Sequence, residues 1–133
     1  VIRNPQAVRP WQHVMEPVFQ YLKLAALQYN DPAYAGHYNI GPEATHCKPV
    51  IDILQLFVKH FPGASYVVKE NPDAPHEASL LMLDITKSKQ VLGFKPRYDA
   101  DETIKASVEW YLADARGENM LDFTLKQIED FLS

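Results

Sequence analysis

The chain has 133 residues, 47% hydrophobic and 23% charged, the balance of an ordinary globular domain and not of a disordered one. Thirteen basic and seventeen acidic residues give a formal charge of -4, interspersed and without a basic stripe, so nucleic acid is excluded as a partner. Cys47 is the single cysteine, which rules out an internal disulfide, and no apolar run approaches the roughly 20 residues that span a bilayer.

The chain opens on Val1-Ile2-Arg3-Asn4-Pro5, with neither an initiator Met nor a signal-peptide pattern. It reads as the interior of a longer polypeptide, with the cytoplasm as the expected compartment. Ala7 to Val14 has extended character, since Pro10 disfavours a helical Arg9. As a strand it places Arg9, Trp11 and His13 on one face. A helix is predicted from Met15 to Tyr29, with Glu16 and Pro17 suited to its first turn. Val18, Tyr21, Leu22, Ala25, Ala26 and Tyr29 recur along it at helical spacing.

Tyr38-Asn39-Ile40-Gly41 reads as a short buried strand closed by Gly41-Pro42. A second amphipathic helix runs from Pro49 to Phe61 on Val50, Ile53, Leu54, Phe57, Val58 and Phe61, and Pro62-Gly63 stops it. Ser65 to Val68 and Leu80 to Leu83 are strand candidates, separated by a loop over Asn71 to Pro75. Asp84 caps a brief helix ending at Gly93. Asp99 and Glu102 have capping-box spacing and open a helix that ends near Gly117. Leu121 to Leu132 forms the last amphipathic helix. The fold class is α/β: short strands with about five helices, a single domain over 1–133.

The sequence has no glycine-rich dinucleotide-binding turn, no P-loop and no nucleophile elbow. Neither Tyr98 nor Tyr111 is followed by lysine four positions on, and Tyr66 has Glu70 there. His46, Cys47, His60 and His76 lack usual zinc spacings, so no metal is expected. Arg9 offers a flat fork of donors that fits phosphate oxygens. Its alternative is an ion pair with Glu16 or Asp31.

Arg9-Pro10-Trp11-Gln12-His13-Val14 with Glu16-Pro17 and Tyr21-Leu22-x-Leu24-Ala25 is a familiar series. Tyr38-Asn39-Ile40-Gly41-Pro42-Glu43, Pro75-His76-Glu77-Ala78, Leu83-Asp84 and Leu92-Gly93-Phe94-Lys95-Pro96 continue it. Val108-Glu109-Trp110-Tyr111 and the tail Thr124-Leu125 with Gln127-Ile128 close it. In this order the blocks resemble the late part of the CDP-glucose 4,6-dehydratases, a family of extended short-chain dehydrogenase/reductases. The Asn-Ile-Gly, Leu-Gly-aromatic-x-Pro and Glu-Trp-Tyr blocks resemble the superfamily of sugar-nucleotide epimerases and dehydratases at large. Arg-Pro-Trp-Gln-His-Val and Pro-His-Glu-Ala point to the narrower family, whose relatives for other nucleotides usually carry an acidic residue where Pro10 stands. Phe94, where many relatives have tryptophan, is a mild departure.

The resemblance implies a carboxy-terminal substrate-binding part. The amino-terminal NAD-binding domain, with its Tyr-x-x-x-Lys pair, is absent from this chain. It implies NAD as the parent's cofactor, CDP-glucose as ligand, a homo-oligomeric parent, and a chain inactive alone. The implied reaction oxidises the hexose at C4, eliminates water across C5 and C6, and returns the hydride to C6, giving CDP-4-dehydro-6-deoxy-glucose. Arg9 matches the arginine placed against the substrate diphosphate. His76 falls where relatives supply another substrate contact, with loop capping as the equal alternative. His13 and Asn39 are further substrate-binding candidates, each with a structural role as the favoured alternative. Trp11, Trp110 and Tyr111 read as packing anchors. Competing readings are the same part of an epimerase or of a dehydratase for another nucleotide, and a non-catalytic binding or assembly module.

Overall fold

The computed structural model describes residues 1–69 and 78–133. The expected loop over Asn71 to Pro75, and His76, lie outside the described residues. Strand β1 (Val8–Arg9) pairs antiparallel with β2 (Lys48–Pro49), Val8 opposite Pro49 and Arg9 opposite Lys48. On its other side Val8 forms a parallel bridge with Leu80, through Val8 N–H to Ser79 O at 2.8 Å and Leu81 N–H to Val8 O at 3.1 Å. The strand candidates at 65–68 and 80–83 reduce to single bridges, Ile2 with Val68 and Val8 with Leu80.

Among the described residues there are five α-helices: α1 (Met15–Asn30), α2 (Val50–His60), α3 (Thr86–Leu92), α4 (Ala100–Ala115) and α5 (Met120–Leu132). The α/β class with about five helices, as expected for the carboxy-terminal part of an extended dehydrogenase/reductase, is borne out. Helix α2 packs on α4, and α4 on α5. Val108 and Ala113 of α4 are sealed from solvent, Ile53 of α2 is buried, and Phe57 stacks on Phe61 with centroids 5.4 Å apart. Ile40, Ile85 and Phe94 form a second apolar cluster that holds segment 38–41 against α3.

The helix ends follow their side-chain chemistry. Asp99 accepts from Glu102 N–H at 2.9 Å, and Glu102 accepts from Asp99 N–H at 2.8 Å, completing the capping box. Asp84 accepts from Thr86 N–H at 2.9 Å and so serves the first turn of α3 from two residues away. Gly93 ends α3 at φ +60°, and its N–H bonds Ser88 O, a left-handed cap that glycine adopts without steric cost.

Helix α1 departs from expectation. Its length matches, but its buried residues are Glu16 and Gln20. Val18, Tyr21, Leu22, Ala25, Ala26 and Tyr29 are all exposed, Leu22 at 67% and Tyr29 at 91%. Segment 38–41, read as a strand, joins no sheet among the described residues.

Candidate functional site

Arg9 ends β1 because Pro10 has no N–H with which to continue the ladder. Trp11 N–H then bonds Arg9 O at 3.1 Å, and the backbone turns there. The expected strand from Ala7 to Val14, with Arg9, Trp11 and His13 on one face, is therefore broken after Arg9. Arg9 Nη1 donates to Val8 O at 2.8 Å and to Ala78 O at 2.9 Å. These bonds fix the plane of the guanidinium where three segments meet: β1, β2 and the chain from residue 78 onward. Ala78 lies two positions after His76, so Arg9 is tied to the stem of the segment carrying that second candidate.

The alternative partners of Arg9 have other work. Glu16 is 2% exposed, and its Oε1 accepts from the backbone N–H of Arg97 at 2.7 Å and of Tyr98 at 2.9 Å. Asp31 caps the short turn Pro32–Tyr34 by accepting from Ala33 N–H at 2.9 Å. Trp11 is an anchor, its Nε1 donating to Lys48 O at 3.0 Å.

His13 is buried at the entry to α1, where Met15 N–H donates to its Nδ1 at 3.3 Å. Its ring meets Tyr98 edge-on, centroids 5.8 Å apart. Burial pushes its pKa below the ordinary 6.5, because desolvation disfavours the imidazolium. It also borders a cavity of about 370 Å³ walled by Met15, Ser107, Trp110, Tyr111 and Gln127. Trp110 donates from Nε1 to Thr124 Oγ1 at 2.9 Å and joins α4 to α5, whereas Tyr111 is largely exposed. Asn39 is exposed and ties strand-like segment 38–41 to the start of α3, donating from Nδ2 to Asp84 O at 3.0 Å while its carbonyl accepts from Ser88 Oγ. Arg9 and Asn39 are thus each bonded to backbone carbonyls, Arg9 to Val8 and Ala78 and Asn39 to Asp84.

Among the described residues no group of three His, Cys, Asp or Glu side chains converges as a metal site. His60 instead bonds Asp101 at 2.8 Å, and Lys59 Nζ reaches both oxygens of Asp101 at 2.8 and 3.0 Å. This knot joins α2 to α4, and Lys59 first, then His60, holds the Asp101 carboxyl below its ordinary 3.8. Neither it nor the Glu16 contact was legible in the sequence, since each joins positions about 40 or 80 residues apart. The local sign at Glu16 was its place with Pro17 in the first turn of a predicted helix, which says nothing of Arg97 or Tyr98.

Among the described residues no helix is long and apolar enough to cross a membrane. No family model matches the chain. The chain is 36% identical, over 134 aligned positions and its whole length, to CDP-glucose 4,6-dehydratase of Salmonella typhimurium. It spans 37% of that protein's length, at the carboxy-terminal end. The resemblance read from the motifs is borne out by this similarity.

Proposed function

We propose that this chain is the substrate-side part of an NAD-dependent sugar-nucleotide 4,6-dehydratase acting in the cytoplasm on CDP-glucose, and that it does not turn over substrate alone. The observation that carries the reading is the similarity along the whole chain to the carboxy-terminal 37% of a CDP-glucose 4,6-dehydratase. Arg9 supports it chemically. A guanidinium fixed by two carbonyls at the end of a strand is a preorganised partner for a diphosphate, and bidentate arginine is well matched to phosphate oxygens.

The described residues that follow β1 do not fit NAD. The helix that follows β1 starts with the buried carboxylate of Glu16, and a carboxylate in the first turn repels the diphosphate that a dinucleotide-binding turn would hold. In this reading the dinucleotide belongs to residues outside this chain. The work of the chain is to hold the nucleotide sugar through Arg9, with His76 on the adjoining segment as a second donor.

The test compares CDP-, UDP-, dTDP- and GDP-glucose as substrates for the polypeptide encoded by the complete gene, with the 133-residue chain assayed beside it. The expected result is a preference for CDP-glucose by the complete polypeptide and no turnover by the chain. Preference for another nucleotide, or turnover by the chain alone, overturns the reading.

A further inference from the structure

Helix α1 is amphipathic the wrong way round for its own chain. At about 100° per residue, Glu16, Gln20 and Lys23 share one side. Glu16 bonds Arg97 and Tyr98, Gln20 is buried, and Lys23 Nζ donates to Leu92 O at 3.0 Å, so this polar side faces the body of the molecule. The stripe of Val18, Tyr21, Leu22, Ala25, Ala26 and Tyr29 lies about 180° away and faces outward. A contiguous apolar stripe over three turns marks an interaction surface, unlike scattered apolar residues.

The character of the stripe points to its occupant. Six positions at i, i+3, i+4, i+7, i+8 and i+11 make the broad face of a helix packed on a layer, wider than the two-position seam of a coiled coil between copies. Ala25 and Ala26 at its centre permit close approach, and none of the six side chains carries a charge. A second observation agrees. The amides of Tyr38, Asn39, Ile40 and Gly41 donate to no described residue, although the sequence there reads as a buried strand. The similar dehydratase places the rest of its length ahead of the region matched here.

We propose that the outward stripe of α1 is the docking face for polypeptide that precedes Val1, an α/β unit offering α1 an uncharged apolar layer and offering segment 38–41 a sheet edge. This rests on the reading above that the chain is the carboxy-terminal part of a longer enzyme, and it adds which surface joins the two parts. Docking removes the stripe from water and offers acceptors to the 38–41 amides, which find none among the described residues.

The experiment places Leu22→Glu in the complete encoded polypeptide and in the 133-residue chain, with Gln55→Glu on the exposed side of α2 as control, and reads thermal midpoints. The expected result is a fall of about 5 °C or more in the complete polypeptide for Leu22→Glu and little change in the chain, where position 22 is already in water. Equal effects in both, or none in either, overturn the proposal. If the Leu22→Glu polypeptide does not fold, hydrogen exchange of wild-type α1 decides. At least tenfold greater protection in the complete polypeptide supports docking, and equal protection overturns it. A stable dimer of the 133-residue chain dispersed by Leu22→Glu assigns the stripe to a second copy and overturns it, as does a gene encoding nothing ahead of Val1. Docking that holds in a polypeptide preferring another nucleotide sinks the substrate reading alone.

Discussion

The Glu16 carboxylate and the Arg97 amide are bonded at 2.7 Å across 81 positions of sequence, and the same oxygen accepts from Tyr98. This contact sets the first turn of α1 against the segment that leads into α4. Glu16→Ala leaves two amides facing a vacated acceptor, so it is expected to cost about 2–4 kcal/mol. Glu16→Gln keeps an acceptor oxygen and costs less. Urea unfolding of both variants checks the order.

Gly93→Ala tests backbone strain with little else changed. A Cβ built there meets nothing within 4 Å, while φ stays at +60°. The expected loss is about 1 kcal/mol, all of it from the left-handed conformation. An unchanged midpoint in the same unfolding assay counts against this cap.

Burial lowers the pKa of His13 in the folded state, so the unfolded chain binds the proton more readily. Stability is therefore intact above the ordinary 6.5 and is lost as pH falls from there through the lowered folded value. His13→Phe is expected to flatten the thermal midpoint between pH 7.5 and pH 5 relative to the parent, at some loss of midpoint overall. The check is a set of melts across that window.

Asp101 titrates in the same sense at lower pH. Its folded-state pKa lies below 3.8, held there by Lys59 and then His60, so its contribution is present above 3.8 and lost as pH falls through the depressed value. The Asp101 side chain is 39% exposed, and solvent and salt screen the pair. Asp101→Asn should cost less than about 1 kcal/mol near neutral pH, less still in 1 M salt. Denaturation at two salt concentrations measures it.

Arg9→Ala in the complete polypeptide is expected to raise the KM for CDP-glucose tenfold or more, about 1.5–3 kcal/mol for charged hydrogen bonds to phosphate. Arg9→Lys restores charge without the fork and recovers only part. An unchanged KM, with a lowered midpoint, assigns Arg9 to holding Val8 and Ala78 instead.

Much of the helical framework was legible because its signals are local. Asp99 with Glu102, Asp84, and Gly93 each mark a helix end within a few residues of it, and α2 buries part of the stripe its periodicity drew. Periodicity also located α1, yet it cannot say which side of a helix meets its own chain. Here the polar side does, because Glu16 and Lys23 find backbone partners in distant segments. Strands suffered most. The runs at 65–68 and 80–83 have β-forming residues, but a strand exists only through its neighbour, and each run finds one bridging partner. The similarity to a dehydratase was legible from ordered motifs. The tie from Arg9 to Ala78 was not, since no pattern links a guanidinium to a carbonyl 69 residues away.

Arg97 lies over the rings of both Phe19 and Phe131 and donates to the carbonyl of Phe131. Helix α1 is thereby sutured to Phe131 of α5. During ribosomal synthesis this seam stays open until Phe131 has emerged, so Phe19 waits for this clamp while every helix between them is made. A chain cut short ahead of Phe131 leaves both Phe19 and Arg97 without that ring.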